Sequence, residues 1–132
     1  MYDFFSYYTE LIIDSIHINK DKYLPKLEEV IDLFYNNFEF CDEREIILLD
    51  RCNSLYHLSH RYKEGIEFFL SKINNYKGYL YDVYGYLFDC YMAEYDYDDG
   101  IKKIEEEIDK VKDKELKKDL EELKFEFVDN YD

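Results

Sequence analysis

The sequence predicts an all-α fold, built from stacked helical hairpins and closed by a C-terminal helix. Apolar residues recur at spacings of three and four along almost the whole chain, and no segment shows the sustained alternation that is typical of strands. Helix breakers are scarce, because the 132 residues include only one proline and four glycines. This pattern favours long helices joined by short turns, and the length favours a single domain, residues 1–132.

About seven antiparallel helices are expected. They are predicted at roughly residues 3–18, 23–37, 43–59, 62–75, 79–95, 97–111 and 114–128. The first six pair into hairpins at 3–37, 43–75 and 79–111, and the seventh, 114–128, caps the stack.

Local signals mark several of the predicted helix ends. Pro25 suits the first turn of the second helix, where a missing N–H breaks no intrahelical bond. Asp42 with Glu45 resembles a capping box at the start of the third helix, and Asn74 stands at the end of the fourth. The seventh helix carries an apolar stripe that needs a neighbour to cover it, made of Leu116, Leu120, Leu123 and Phe127.

An internal repeat of 35 residues is visible when the chain is aligned with itself. The identical pairs are Tyr56 with Tyr91, Tyr62 with Tyr97, Gly65 with Gly100, Ile66 with Ile101 and Ile73 with Ile108. Apolar pairs in the same register are Leu49 with Tyr84, Cys52 with Leu87, Leu55 with Cys90 and Phe69 with Ile104. Periods near 34 residues are typical of stacked helix-turn-helix units. A glycine at both Gly65 and Gly100 predicts close helix approach, because glycine is otherwise unfavourable within a helix.

These residues resemble the tetratricopeptide (TPR) family. Tyr56 and Tyr91 match the tyrosine late in the first helix of each unit, and the segments beginning at Tyr62 and Tyr97 match the aromatic-x-x-small-hydrophobic stretch of the second helix. The chain departs from the family in having no tryptophan and no unit-ending proline. The resemblance implies a helical-repeat fold whose first helices line a concave binding surface.

Charge narrows the classes of partner. The formal net charge of −15 disfavours direct binding of nucleic acid, since that affinity comes from clustered Lys and Arg. Anionic membranes are disfavoured for the same reason, and no apolar run approaches the ~20 residues of a membrane span. The charge favours a basic protein or a Lys- or Arg-rich segment, although a simply solvated surface explains much of it.

The N-terminal residues and the cysteines favour a cytoplasmic location. The first ten residues include two acids, one of them as early as Asp3, and no basic residue, unlike a secretory signal. Cys41, Cys52 and Cys90 form an odd set without CxxC spacing, which favours reduced thiols, and Cys52 and Cys90 lie on apolar stripes.

The main binding hypothesis rests on the segment between Lys77 and Lys102, which contains no Lys or Arg. It holds six acids and seven tyrosines: Asp82, Asp89, Glu94, Asp96, Asp98 and Asp99, with Tyr79, Tyr81, Tyr84, Tyr86, Tyr91, Tyr95 and Tyr97. Acids steer a basic partner and aromatic rings supply binding energy, whereas the simpler alternative packs half of these tyrosines into the core. The acids and lysines of residues 102–122 are expected to pair mostly with one another.

Nine residues are predicted to form the protein-binding surface. The resemblance implies a concave surface lined by Asp50, Ser54 and His57 from one unit and by Asp82, Asp89 and Met92 from the next. The acidic, tyrosine-rich segment adds Tyr81, Glu94 and Tyr95.

No catalytic residue, metal ligand or cofactor is predicted. Cys52, His57 and His60 form the one metal-like cluster of the sequence, but zinc sites need three or four convergent ligands, and the usual motifs are missing. The sequence also lacks nucleophile motifs and a phosphate-binding glycine loop.

The expected function is therefore non-catalytic protein binding. A sharper version is an immunity protein or inhibitor that masks the cationic site of a nuclease-type toxin or another nucleic-acid enzyme. The alternatives are a structural subunit, scaffold or regulator of a larger assembly, and a Cys/His-dependent metalloenzyme. The oligomeric state is left open.

Overall fold

Helices form all the regular structure in the part of the chain that the computed structural model describes, residues 2–37, 43–75 and 79–131. The seven helices there are α1 (Tyr2–Ile16), α2 (Lys20–Asn37), α3 (Glu43–Leu58), α4 (Tyr62–Asn75), α5 (Leu80–Glu94), α6 (Tyr97–Asp109) and α7 (Lys114–Tyr131). The predicted all-α class is confirmed, and every helix end lies within three residues of its predicted position. Cys41 and the predicted cap at Asp42 lie outside the described residues.

The start of α2 differs from the prediction. Asn19 lies directly before the helix, and its side-chain oxygen accepts a hydrogen bond from the Lys22 N–H at 3.3 Å. Because this asparagine supplies the cap, α2 begins at Lys20, and Pro25 is its sixth residue rather than part of the first turn. Pro25 has no N–H to donate to the Asp21 carbonyl four residues earlier, and both residues are exposed, so water can reach this part of the helix.

The chain divides into two compact units, Met1–Arg61 and Tyr62–Asp132. The boundary falls inside the predicted hairpin 43–75, and assigns α3 to the first unit and α4 to the second. The single domain and this hairpin both stay predictions.

In the first unit, α1 packs against α2, and α3 packs against both. Its buried apolar side chains are Phe5, Ile12, Ile16, Leu27, Ile31, Phe34, Leu48, Leu49, Cys52 and Leu55. Phe5 and Phe34 bring α1 and α2 together, with their ring centroids 4.7 Å apart.

A polar contact fixes α3 on α1. Thr9 is fully buried, and its hydroxyl donates to the Phe5 carbonyl at 2.7 Å. The same hydroxyl accepts a hydrogen bond from Arg51 Nε at 2.9 Å, while Arg51 also pairs with Asp50 at 2.6 Å. A buried hydroxyl and a largely buried guanidinium both need hydrogen-bond partners, and this contact supplies one to each.

In the second unit, α5 is central, because α4, α6 and α7 all pack against it. The buried apolar side chains are Phe69, Val83, Tyr84, Leu87, Phe88, Cys90, Tyr91, Met92, Ile104, Ile108, Leu120 and Leu123. Two aspartates cap the helices that follow α5: Asp96 accepts from the Asp99 N–H, and Asp113 from the Leu116 N–H, each at 2.9 Å.

The internal repeat agrees with the burial pattern. All eight residues of the four apolar pairs are buried, so the two copies hold their apolar positions in the same register. The identical tyrosines differ, because Tyr91 is buried and Tyr56 is only half-buried. This burial pattern and the packing of neighbouring helices are compatible with a helical repeat.

The close approach expected at Gly100 is present. A Cβ at this position would lie 2.8 Å from the Met92 sulfur and 3.4 Å from the Tyr91 carbonyl oxygen. These distances are too short for an unshifted side chain, so glycine allows the start of α6 to lie against the end of α5.

Candidate protein-binding surface

Four acids lie close enough to Tyr81, at the start of α5, to act on the charge of its phenol. Asp82 contributes one carboxylate, and Asp119, Glu122 and Glu126 contribute three from α7; these five residues are called the α5–α7 acidic surface. Tyr81 is 41% exposed. Burial and then the negative charges of Glu126, Asp119, Asp82 and Glu122 raise the pKa of its phenol above the ordinary value.

The packing of α7 on α5 creates this cluster. Leu120 and Leu123 are buried, and Leu123 Cδ2 would lie 3.9 Å from a Cβ at Gly85 of α5. Phe127 meets Phe88 edge-on, with the ring centroids 6.2 Å apart. These side chains turn one face of α7 inwards, and Asp119, Glu122 and Glu126, which each precede a residue of that face, lie exposed along its edge.

The prediction that the acids of residues 102–122 mostly pair with one another is wrong for α7. In this region, the ion pairs among described residues are Lys110 with Glu107, at 3.3 Å, and Lys124 with Glu105, at 3.5 Å. Asp82, Asp119, Glu122 and Glu126 take part in no ion pair within the described ranges. The packing of α6 and α7 draws Lys124 to an acid of α6 instead of its own helix.

The other predicted residues of the second unit have different surroundings. Met92 is 5% exposed and packs where Gly100 approaches, so within this unit it offers almost no surface to a partner. Glu94 lies 3.7 Å from Lys63 of α4, and Asp89 is half-buried.

Tyr95 is the second exposed tyrosine among the predicted site residues, at 37%. Its ring packs beside Tyr91, with 6.3 Å between the centroids, and Lys103 lies 5.6 Å above it. Tyr95 therefore already contacts a cation of its own chain.

Several tyrosines of the acidic segment belong to the core. Tyr84 and Tyr91 are buried, and the half-buried Tyr86 packs on Phe69 at 5.5 Å. The Tyr91 hydroxyl donates to Glu107 at 3.2 Å. Burial and this carboxylate raise the pKa of Tyr91 well above its ordinary range, so the phenol stays neutral at physiological pH.

The predicted residues of the first unit lie on one stripe of α3. Asp50, Ser54 and His57 are all half-buried, and Asp50 is bound to Arg51. Burial lowers the pKa of His57, which favours its neutral form. Because these three residues and those of α5 belong to different units, the concave surface that would combine them stays a prediction.

His60 has a structural role at the end of α3. Its φ of 56° is left-handed, its N–H donates to the His57 carbonyl at 3.2 Å, and the Arg61 N–H donates to the Tyr56 carbonyl at 2.8 Å. This is the Schellman arrangement, in which the residue after the helix is usually glycine. Within residues 2–37, 43–75 and 79–131, no group of three or more His, Cys, Asp or Glu side chains is placed to hold a metal ion.

Sequence reasoning missed Asp119, Glu122 and Glu126. Their signal was the spacing of Glu115, Asp119, Glu122 and Glu126, which puts four acids on one stripe of α7. That stripe was interpreted as a solvated, self-paired face, because nothing local indicates that α7 brings it beside Tyr81.

Comparison with known proteins finds no matching family model, no similar curated protein and no similar solved structure. In the part of the chain that the structure describes, no helix combines the length and apolar character needed to cross a membrane.

Proposed function

We propose that this chain is a non-catalytic, TPR-like protein-binding module whose α5–α7 acidic surface docks a basic protein or a Lys- or Arg-rich segment. The observation that carries the proposal is the group of four carboxylates around exposed Tyr81, none of which has a basic partner among the described residues. The apolar positions of the repeat are buried in both copies, which supports the TPR-like part of the proposal.

The energetics favour a cationic partner. Like charges three or four residues apart each cost a helix roughly 0.2–0.5 kcal/mol, and α7 carries several such pairs along its exposed stripe. A partner's Lys or Arg side chains relieve this repulsion, while the Tyr81 ring supplies apolar contact area. The overall charge of −15 speeds the encounter by long-range attraction.

The more specific form of the proposal is an immunity protein or inhibitor. Carboxylates on a preformed surface occupy the positions that phosphates take in the active site of a nuclease-type toxin or other nucleic-acid enzyme. Nucleic acid and membranes are not proposed as direct partners. A cytoplasmic location fits Cys52 and Cys90, which are both buried free thiols.

Two alternatives remain. Exposed apolar side chains on α1 favour a structural subunit or scaffold of a larger assembly. A Cys/His-dependent metalloenzyme has less support, because Cys52 is buried and His60 serves the end of α3.

The test is affinity capture from a lysate of the source organism at low and high salt. Wild type is compared with Glu122→Lys/Glu126→Lys and with a control of equal charge change, Glu29→Lys/Asp32→Lys on the exposed side of α2. We expect a basic protein to be lost at high salt and with the α7 pair, but kept by the control. A partner kept by both variants would overturn the proposed surface.

The inhibitor form has its own measurement. The captured partner is assayed for nuclease activity with increasing amounts of the chain, and we expect wild type to suppress that activity at least tenfold more effectively than Glu122→Lys/Glu126→Lys. A partner without activity on nucleic acid would contradict the inhibitor form and leave the binding module.

A further inference from the structure

The exposed side of α1 carries an apolar stripe. Phe4, Tyr7, Tyr8 and Leu11 are 58%, 66%, 37% and 47% exposed, and Ile18, in the turn after the helix, is 87% exposed. These five residues are called the α1 outer face. Phe4, Tyr7 and Leu11 follow the helical spacing of three and four residues, and Tyr8 lies one turn from Phe4, so these four project from the same side of α1.

The opposite side of α1 is also apolar. Phe5, Ile12 and Ile16 are buried in the first unit, together with Thr9. A helix that is apolar on both sides is typical of a buried position between two layers, whereas the described chain covers only one side of α1. Exposed aromatic and aliphatic side chains collected on one helix face are characteristic of an interaction site.

The outer face is held in a fixed geometry. The rings of Phe4 and Tyr8 stack with centroids 5.5 Å apart and planes 7° from parallel. Beneath them, the bond from Arg51 to Thr9 fixes α1 on α3. Rings that are already ordered lose little conformational entropy on binding, which is a property of interface anchors.

The acids beside the α1 outer face favour a basic partner over a second copy of this chain. Asp3, Glu10 and Asp14 are exposed and lie along one edge of the stripe, and no Lys or Arg occurs before Lys20. A second copy of this chain would bring the same acids and another net charge of −15 to the interface, which opposes self-association. Lys and Arg side chains beside an apolar stripe would instead complement this edge.

We propose that the α1 outer face docks an amphipathic helix of a partner protein, with its apolar stripe on Phe4, Tyr7 and Leu11 and its Lys or Arg side chains against Glu10 and Asp14. The stripe from Phe4 to Leu11 spans about 10 Å at the helical rise, so two to three turns of a partner helix cover it. This surface belongs to the first unit and does not depend on the α5–α7 acidic surface.

The probe is a fluorescent synthetic helix of about 18 residues, with Leu at the a and d positions of its heptads and Lys at the flanking e and g positions. Two control peptides are used: a scramble of the same composition, and a version with Glu in place of Lys. Fluorescence anisotropy with the full chain should show binding of the amphipathic basic peptide at least tenfold tighter than of either control. Equal affinity for the scramble would reduce the interaction to general charge attraction and overturn the proposal.

Substitutions then locate the site. Tyr7→Ser/Leu11→Ser should weaken peptide binding at least tenfold, whereas Phe125→Ser, which changes a residue 60% exposed on α7, should leave it unchanged. Glu10→Lys/Asp14→Lys should weaken it several-fold and reduce its salt dependence. Unchanged binding by Tyr7→Ser/Leu11→Ser, with native helicity by circular dichroism, would overturn the assignment.

Two measurements on the wild-type chain do not depend on the variants. Hydrogen exchange should slow in residues 3–18 when the basic peptide is added, and protection confined to other residues would contradict the site. Sedimentation velocity should show a monomer, whereas a dimer dissociated by Tyr7→Ser/Leu11→Ser would mean that a second copy, not a partner helix, covers this face. In Glu122→Lys/Glu126→Lys, the amphipathic peptide should still bind at least tenfold tighter than its scramble, because charge attraction to the α5–α7 acidic surface acts on both peptides alike. Loss of that preference would place the amphipathic site on α7 and overturn the proposal.

Discussion

At the scale of single residues, His60 is a chemically suggestive residue whose backbone ends a helix. Its place near Cys52 and His57 in the sequence suggests a metal cluster, but its left-handed φ of 56° ends α3. The backbone bonds from His60 and Arg61 to the last turn of α3 do not use the imidazole.

Replacing His60 with glycine should therefore stabilise the protein. Left-handed backbone costs a residue with a Cβ about 1 kcal/mol or more, and glycine avoids this cost. We expect His60→Gly to raise the free energy of unfolding by about 1 kcal/mol in urea denaturation. His60→Ala keeps the Cβ and is the control, and an equal gain from it would contradict the backbone explanation.

At Gly100 we expect a substitution to destabilise the protein. Alanine would add up to ~1 kcal/mol of helix propensity, but its Cβ would meet the Met92 sulfur at 2.8 Å and the less movable Tyr91 carbonyl oxygen at 3.4 Å. We expect Gly100→Ala to lower the free energy of unfolding by about 1–2 kcal/mol.

A double-mutant cycle checks the cause. In a Met92→Ala background, Gly100→Ala should cost less, with a coupling energy of about 0.5 kcal/mol or more. Additive effects would show that the sulfur contact does not set the cost.

At the scale of helices, the sequence predicted nearly every element, because helical periodicity, caps and breakers are local signals. α4 was predicted at its observed bounds, 62–75, while α2 was predicted three residues late because the Asn19 cap was overlooked. The candidate binding surface was only partly predictable. Asp119 and Glu126 reach Tyr81 through packing between distant parts of the chain, and Met92 shares its segment's composition but faces inwards.

Pro25 offers a test of the revised bounds of α2. A proline inside a helix removes one hydrogen bond and costs up to ~3 kcal/mol, whereas one in the first turn costs little. We expect Pro25→Ala to raise the free energy of unfolding by about 1–3 kcal/mol, and the thermal midpoint with it. This range allows for the loss of the restraint that proline places on the unfolded chain. No gain would favour a helix that begins near residue 23.

Repulsion among the acids on the exposed stripe of α7 should lower the stability of the chain, while the same acids favour binding of a basic partner. Glu126 has the like charges of Glu122 and Asp129 one turn away, so Glu126→Gln should stabilise the chain by a few tenths of a kcal/mol while weakening capture of a basic partner. It should also lower the pKa of Tyr81, since Glu126 is the largest of the four charge contributions.

Nuclear magnetic resonance of labelled tyrosine measures that pKa, with Tyr81→Phe used for assignment. Glu121→Gln on the same helix is the control, because Glu121 does not contribute to the shift. An equal effect of both substitutions would contradict the geometry of the cluster.

At the scale of the whole molecule, stability should fall in alkaline solution. Burial and then the charge of Asp89 raise the pKa of Cys90 from 9.0 to about 12, and burial also raises the pKa of Tyr91. The unfolded chain therefore loses these protons at lower pH than the folded one. Their contribution is fully present below pH 9 and is lost as the pH rises towards 12, by up to about 1.4 kcal/mol per pH unit for each group.

Urea denaturation between pH 8 and 12 measures this loss. Cys90→Ala and Tyr91→Phe should each start from lower stability and show a shallower decline above pH 9. A decline as steep as that of wild type in both variants would assign the alkaline sensitivity to other groups.

The bond between Arg51 and Thr9 also constrains how the sequence can drift over evolution. The two residues lie 42 positions apart and satisfy each other inside the first unit. Losing either one alone removes one hydrogen bond from a partner that is buried or largely buried, whereas replacing both with apolar residues removes both requirements at once. Homologues should therefore keep both residues or replace both together, and this covariation would identify them even where little other similarity survives.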